Sequence, residues 1–180
     1  MDNLRKALEC YGVENVVLST IAENKSSDSY VILLLDKKSN KILGGIRIEI
    51  KSEHNSLPFE KIDVDINIKE IICKKINFHF INNNCRLAEL NGLWVSNEAK
   101  GLGLGADLIL EATKLAKHLN IGAIVATPPL HTLNYFLQLG YVIDTELPKF
   151  AYPDERYLST IVWYHVPVAI KDYSIRDVEI

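Results

Sequence analysis

No apolar run in this sequence approaches the roughly 20 residues a helix needs to cross a bilayer, so no membrane partner is expected. The opening MDNLRKALECYG has no apolar signal core, which sets secretion aside and makes a cytoplasmic location the expectation. Lys and Arg form no tract and the formal net charge is −3, so a nucleic-acid partner is not expected either. Cysteine is scarce: there are three, Cys10, Cys73 and Cys85, in no C-x-x-C pair. That reads as reduced thiols rather than a disulfide frame or a zinc site. The five histidines show no H-E-x-x-H or similar ligand spacing, and no metal is expected. Internal repeats and low-complexity tracts are absent. What remains is an ordinary globular composition, 48% hydrophobic and 24% charged, for which one domain over residues 1–180 is the natural reading.

The pattern along the chain is mixed. Leu4, Ala7, Leu8 and Tyr11 predict a short helix over Asn3–Tyr11, stopped by Gly12. VVLSTI (16–21), YVILLLD (30–36) and ILGGIRIEI (42–50) read as strands, the last two as a hairpin. SEHNSLPFEKI is a loop broken by Pro58. INIKEIICKKINFHF (66–80) carries both a helical spacing and a β-branched composition, and the spacing favours a helix. Asn82–Asn84 predict a turn. RLAELNGLWV (86–95) is a strand and LGADLILEATKLAKHL the clearest helix. In that helix Leu104, Leu108, Ile109, Ala112, Leu115, Ala116 and Leu119 face inward, against Asp107, Glu111, Lys114 and Lys117. IGAIVAT (121–127) is a wholly apolar, central strand ended by Pro128 and Pro129. LHTLNYFLQLG (130–140) is a second helix. YVIDTEL and RYLSTIVWYHV (156–166) are strands, the latter alternating. This order predicts a mixed α/β or α+β sheet with one parallel crossover between Val95 and Ile121.

The chemistry lies in AELNGLWVSNEAKGLGLGADLILEATKLAKHL (88–119), where a strand leads through three glycines at alternate positions into a helix. Amides at a helix start are unpaired and lie at the positive end of its dipole, and glycine lets a phosphate approach them. GLGLGA satisfies the dinucleotide pattern G-x-G-x-x-[GA]. Yet SNEAK separates it from the strand, and no Asp or Glu lies between Glu111 and Asp144 to hold a ribose. A P-loop is excluded, because no Gly-Lys-Ser/Thr closes the turn.

The stretch resembles the GNAT superfamily of acyl-CoA-dependent N-acyltransferases. A strand with an apolar-x-Val ending, a short loop, a [Q/R]-x-x-G-x-[G/A] motif opening a helix, a strand, a helix and an LGY ending follow in the family's order from Leu87 to Tyr141. Lys100 stands where that motif has Gln or Arg. The resemblance implies a mostly antiparallel mixed sheet with a splayed parallel pair flanked by helices. It implies acetyl-CoA or another acyl-CoA as co-substrate, its pantetheine along Leu93, Trp94 and Val95. The diphosphate would lie on Lys100, Gly101, Leu102, Gly103, Leu104, Gly105 and Ala106.

Amine attack on a thioester needs a base, a donor for the developing oxyanion and protonation of the thiolate. Glu89 lies at the register of a glutamate found in some histone-type members and is the candidate base; strand alternation would set it on one face with Leu93 and Val95. The family's acid, a tyrosine, falls on Phe136, and an asparagine common in the family falls on Pro129. Tyr135 and Tyr141 are therefore the candidate acids, with His131 a further one. Tyr152, Asp154, Glu155 and Tyr157 are candidates for a cationic acceptor's pocket, against the plainer reading of Pro-Asp-Glu as a solvated turn.

The expected activity is transfer of an acetyl group to a primary amine of a small molecule or peptide, with a homodimer as the candidate assembly. Two alternatives stand: a non-catalytic acyl-CoA-binding sensor, and a GNAT-like synthase using longer acyl groups from a carrier protein.

Overall fold

The computed structural model describes residues 28–36, 41–78 and 86–166. The expected helix at Asn3–Tyr11, strand at 16–21 and turn at Asn82–Asn84 lie outside them. Strands β1 (Ser29–Leu35) and β2 (Ile42–Ile50) form the expected hairpin. A 3₁₀ turn follows at Pro58–Lys61, within the segment read as a loop. Helix α1 (Ile66–Asn77) then resolves the ambiguous 66–80 stretch: the Asp65 side chain accepts the Asn67 N–H at 2.8 Å, capping the first turn. Ile72 and Ile76, one turn apart, bury the inner face, so packing outweighs the weak helix propensity of isoleucine.

Then come β3 (Arg86–Val95), α2 (Leu104–His118), β4 (Ile121–Ala126), α3 (Leu130–Gln138) and β5 (Val142–Ile143). A small hairpin, β6 (Phe150–Ala151) and β7 (Leu158–Ser159), precedes β8 (Val162–His165). The expected strand over 156–166 is thus two, interrupted at Thr160–Ile161: β7 pairs with β6, while β8 pairs with β4 and β5. Thr160 instead donates its N–H to the Pro128 carbonyl at 3.2 Å. The expected strand over YVIDTEL shortens to two residues, because Asp144 turns inward to accept from the Trp163 indole at 2.8 Å and to pair with Lys75 of α1 at 3.0 Å.

The sheet order is β1-β2-β3-β4-β8-β5, antiparallel except for β3–β4. Each face carries a core. On one, Ile46, Ile48, Ala88, Leu90 and Ile124 pack against Leu108, Ile109, Ala112 and Ala116 of α2 and Phe136 of α3. On the other, Leu87, Ala123, Val125 and Trp163 pack against Phe59 of the 3₁₀ turn and Ile72 and Ile76 of α1. Gly44 lets α2 sit close to β2: a Cβ there would meet the Trp94 carbonyl at 2.8 Å and the Leu108 side chain at 3.2 Å.

Candidate active site

β3 and β4 run as a parallel pair from Arg86–Ile121 to Leu90–Ala126 and then part. Prolines cause the parting. Thr127 is followed by Pro128 and Pro129, which have no N–H to continue a ladder. Their backbone is drawn towards β7 by the Thr160 bond and by a bridge from Pro129 to Ser159. Asn91–Val95 keep β2 as their strand neighbour, while β4 no longer pairs with their other edge.

The glycine turn lies beyond the end of β3. Its approach is pinned by the Ser96 N–H to the Leu43 carbonyl at 2.7 Å, by buried Ala99 and by the Lys41–Glu98 ion pair. Gly101 and Gly103 have φ of +78° and +76°, and a Cβ built at either meets nothing within 4 Å. Their conformation needs glycine, and the space above them is open. The N–H groups of Gly103, Leu104 and Gly105 donate to no main-chain carbonyl among the described residues; Ala106 donates to the Gly103 carbonyl at 2.9 Å. Leu102 is 68% exposed at the tip, and Lys100 is exposed beside it. These features fit a diphosphate: open glycines, helix-start amides without main-chain acceptors, and a lysine.

The expectation that Glu89, Leu93 and Val95 share a face is corrected. Gly45 pairs with Trp94 but Arg47 pairs with Asn91, so Gly92 and Leu93 together stand opposite Ile46. This is a β-bulge with Gly92 at φ +61°. It reverses the alternation: Leu93 and Val95 join Ala88 and Leu90 on the α2 face, whereas Glu89 lies on the opposite face with the 3₁₀ turn. A glycine inside a strand pattern is the sequence signal for such a bulge, and Gly92 carried it.

Glu89 is 2% exposed and accepts the Phe59 N–H at 2.9 Å. Burial pushes its carboxyl well above the ordinary range; the Phe59 N–H opposes this, Glu49 and Glu60 add to it, and Lys61 opposes it. Glu49 is its direct cross-strand partner and pairs with Arg47 at 3.0 Å. Tyr152 lies on this face too, its hydroxyl held at about 12 by burial and by the Glu89 and Glu49 carboxylates. Arg47, Glu49 and Asn91 on this face were not singled out from sequence.

The remaining candidates separate. Tyr141 is buried, its hydroxyl 2.9 Å from Thr113 Oγ1 and its ring edge-on to Phe136. Burial drives its hydroxyl above the usual tyrosine range. Tyr135 is 38% exposed, and its ring lies 3.7 Å from the position of a Cβ on Gly105, against the glycine turn. His131 packs on Tyr157 with centroids 5.7 Å apart. Asp154 accepts from the Arg156 side chain at 2.7 Å and from its backbone at 3.0 Å, and Glu155 is exposed, as befits a solvated turn. A shallow cavity of about 630 Å³ between α1 and β5–β8, lined by Lys75, Asp144, Glu146 and Trp163, contains none of the candidates. Among the described residues, no group of three metal-ligating side chains occurs and no helix is long and apolar enough to cross a membrane.

The model of the acetyltransferase (GNAT) family matches residues 2–141. The chain belongs to that family. Curated relatives include uncharacterized proteins of Mycobacterium tuberculosis and Mycobacterium bovis, each 29% identical over 79 residues, 43% of this chain. The match spans only 30% of those relatives' length. Among solved structures, FeeM, an N-acyl amino acid synthase from uncultured soil microbes, aligns over 92% of this GNAT chain and 84% of its own, with TM-score 0.66 and 12% identity. An acyl-CoA N-acyltransferase from Pseudomonas aeruginosa aligns over 89% and 85%, with TM-score 0.53 and 15% identity. Arabidopsis thaliana NAA60 in complex with acetyl-CoA aligns over 78% of each chain, with TM-score 0.53 and 14% identity. At such identities the structures establish a shared fold.

Proposed function

We propose that this GNAT chain is an N-acyltransferase that joins the acyl group of a CoA thioester to a primary amine by direct attack. One observation carries the reading: the parallel pair opens after Leu90–Ala126, with the bare glycine turn beyond the end of β3 and buried Glu89 one rung inside the closed part. The amides at the start of α2, with Lys100, would hold the diphosphate, and the open edge of Leu93, Trp94 and Val95 would take the pantetheine. Glu89 is the base that removes the amine's proton, burial having raised its pKa and with it its basicity. Of the two tyrosines, Tyr135 is the exposed one and is the candidate to protonate the thiolate; Tyr141, bonded to Thr113, serves the core.

The first reading takes acetyl-CoA as donor and a small-molecule or peptide amine as acceptor. The likeness to an N-acyl amino acid synthase over most of the chain supports a second, in which a longer acyl group goes to an amino acid. A thermal-shift series with CoA, acetyl-CoA and longer acyl-CoAs, joined to CoA-thiol release over a panel of amines, separates them. Stabilisation by CoA esters follows from binding to the native state alone. Thiol release with amines present supports transfer, and the most stabilising chain length identifies the donor. Binding without release over the panel would make the chain a sensor. No shift with any CoA ester would refute the site.

A further inference from the structure

Three buried side-chain atoms lack a hydrogen-bond partner among the described residues: Asn91 Nδ2, Ser96 Oγ and Thr127 Oγ1. Such atoms are few in native proteins, because each forgoes its bonds to water without replacement. Two of these three meet at one level of the sheet. Leu90 and Ala126 form the last shared rung of β3 and β4, and Asn91 and Thr127 are the next residue on each strand. Alternation places them on the face of Glu89 and Val125, ahead of the bulge that reverses β3. The charged neighbours there are partnered, Glu89 by the Phe59 N–H and Arg47 by Glu49. The two orphans do not bond each other.

Resting on the acyltransferase reading, we infer that Asn91 and Thr127 are catalytic residues that donate hydrogen bonds to the thioester carbonyl oxygen and to the oxyanion formed from it. The geometry argues for a carbonyl at this spot. A donor arm lying along the open edge of Asn91–Val95 can travel no further than the rung where β3 and β4 close, so its acyl carbon stops beside these two side chains. An amide N–H and a hydroxyl O–H, both without an acceptor at the same level of neighbouring strands, call for a single acceptor atom. Glu89, one rung inside, is on the same face to receive the amine's proton. The amine lone pair forms the C–N bond while the carbonyl π pair moves to oxygen, between the two donors. The proton of the nitrogen passes to the Glu89 carboxylate. The oxygen pair then re-forms C=O, the C–S bond breaks with its pair on sulfur, and the thiolate takes up a proton to leave as the free thiol.

The test uses near-isosteric apolar replacements, Asn91→Leu and Thr127→Val, in the full chain. Asn91→Leu should lower kcat by about 10²–10³-fold, and Thr127→Val should lower it by a smaller factor. KM for the amine and the thermal shift given by acyl-CoA should stay close to wild type in both. The melting point without ligand should hold or rise, since each variant removes a buried group that had no partner. A fall in melting point with kcat retained would make the groups structural and overturn the inference. So would a raised KM for the amine at unchanged kcat, which would assign the pair to the acceptor. Should Asn91→Leu fail to fold, Thr127→Val decides by the same criteria. A wild-type chain that releases no thiol with any amine would refute the acyltransferase reading instead, a result distinct from active variants in an active background.

Discussion

Glu89 concentrates the residue-scale argument. A carboxyl in a sheet core, directly across from Glu49, breaks the rule that like charges are not set opposite each other, and burial raises its pKa. The consequence for stability has a definite sign. Below the ordinary glutamate pKa, Glu89 is protonated whether the chain is folded or not. Between that value and its raised native pKa, the unfolded chain releases a proton that the folded chain keeps, so stability falls as pH rises through this window. Glu89→Gln keeps an acceptor for the Phe59 N–H and removes the titration. Its urea midpoint should lie above wild type at neutral pH and should lack that part of the decline. Activity should fall about 10²–10⁴-fold, with loss of the acidic limb of the kcat/KM profile. A variant with unchanged activity would dismiss Glu89 as the base; one with a midpoint below wild type at neutral pH would mean its ionised form is not the disfavoured one.

The glycine turn and the helix it opens make the argument at the scale of elements. Gly103 has positive φ and open space where a Cβ would stand, so Gly103→Ala and Gly103→Glu carry the same backbone strain, about 1–2 kcal/mol. Only the glutamate adds negative charge where the diphosphate would lie. Titration with a CoA ester should therefore show Gly103→Glu binding on the order of tenfold or more weaker than Gly103→Ala; equal affinities would place the diphosphate elsewhere. This turn was legible in the sequence because glycine spacing and a helix start are local features. So were α1, α2 and the span of β3, Arg86–Val95, whose periodicities are set by burial on one face. The bulge was passed over because alternation was carried straight through Gly92, and with it the assignment of Glu89, Leu93 and Val95 to one face. The alternating 156–166 stretch misled for the converse reason. Its pattern continues through Thr160 and Ile161, both buried, but the partner strand changes there, from β6 to β4 and β5. Asn91 and Thr127 gave no sequence signal, since their lack of partners arises only where two distant strands part.

For the molecule as a whole, the two cores lie on opposite faces of one sheet, and β3 and β4, which run through both, part after Leu90–Ala126. The glycine turn opens α2, on one face; Glu89, Glu49 and Tyr152 lie on the other. In the proposed reaction the donor would enter along one side and the amine from the other, and the two would meet at the Leu90–Ala126 rung, both held at once. In this reading no side chain would carry the acyl group between two half-reactions. Holding two reactants together replaces a chance encounter with a near-unimolecular step, and the kinetics should show it. Initial rates over a grid of acyl-CoA and amine concentrations should give intersecting double-reciprocal lines. Incubation with acyl-CoA alone should leave the mass of the chain unchanged. Parallel lines together with an acyl mass increment on the protein would mean that the acyl group rests on a side chain first, and that the opening between β3 and β4 is not a meeting place of two substrates.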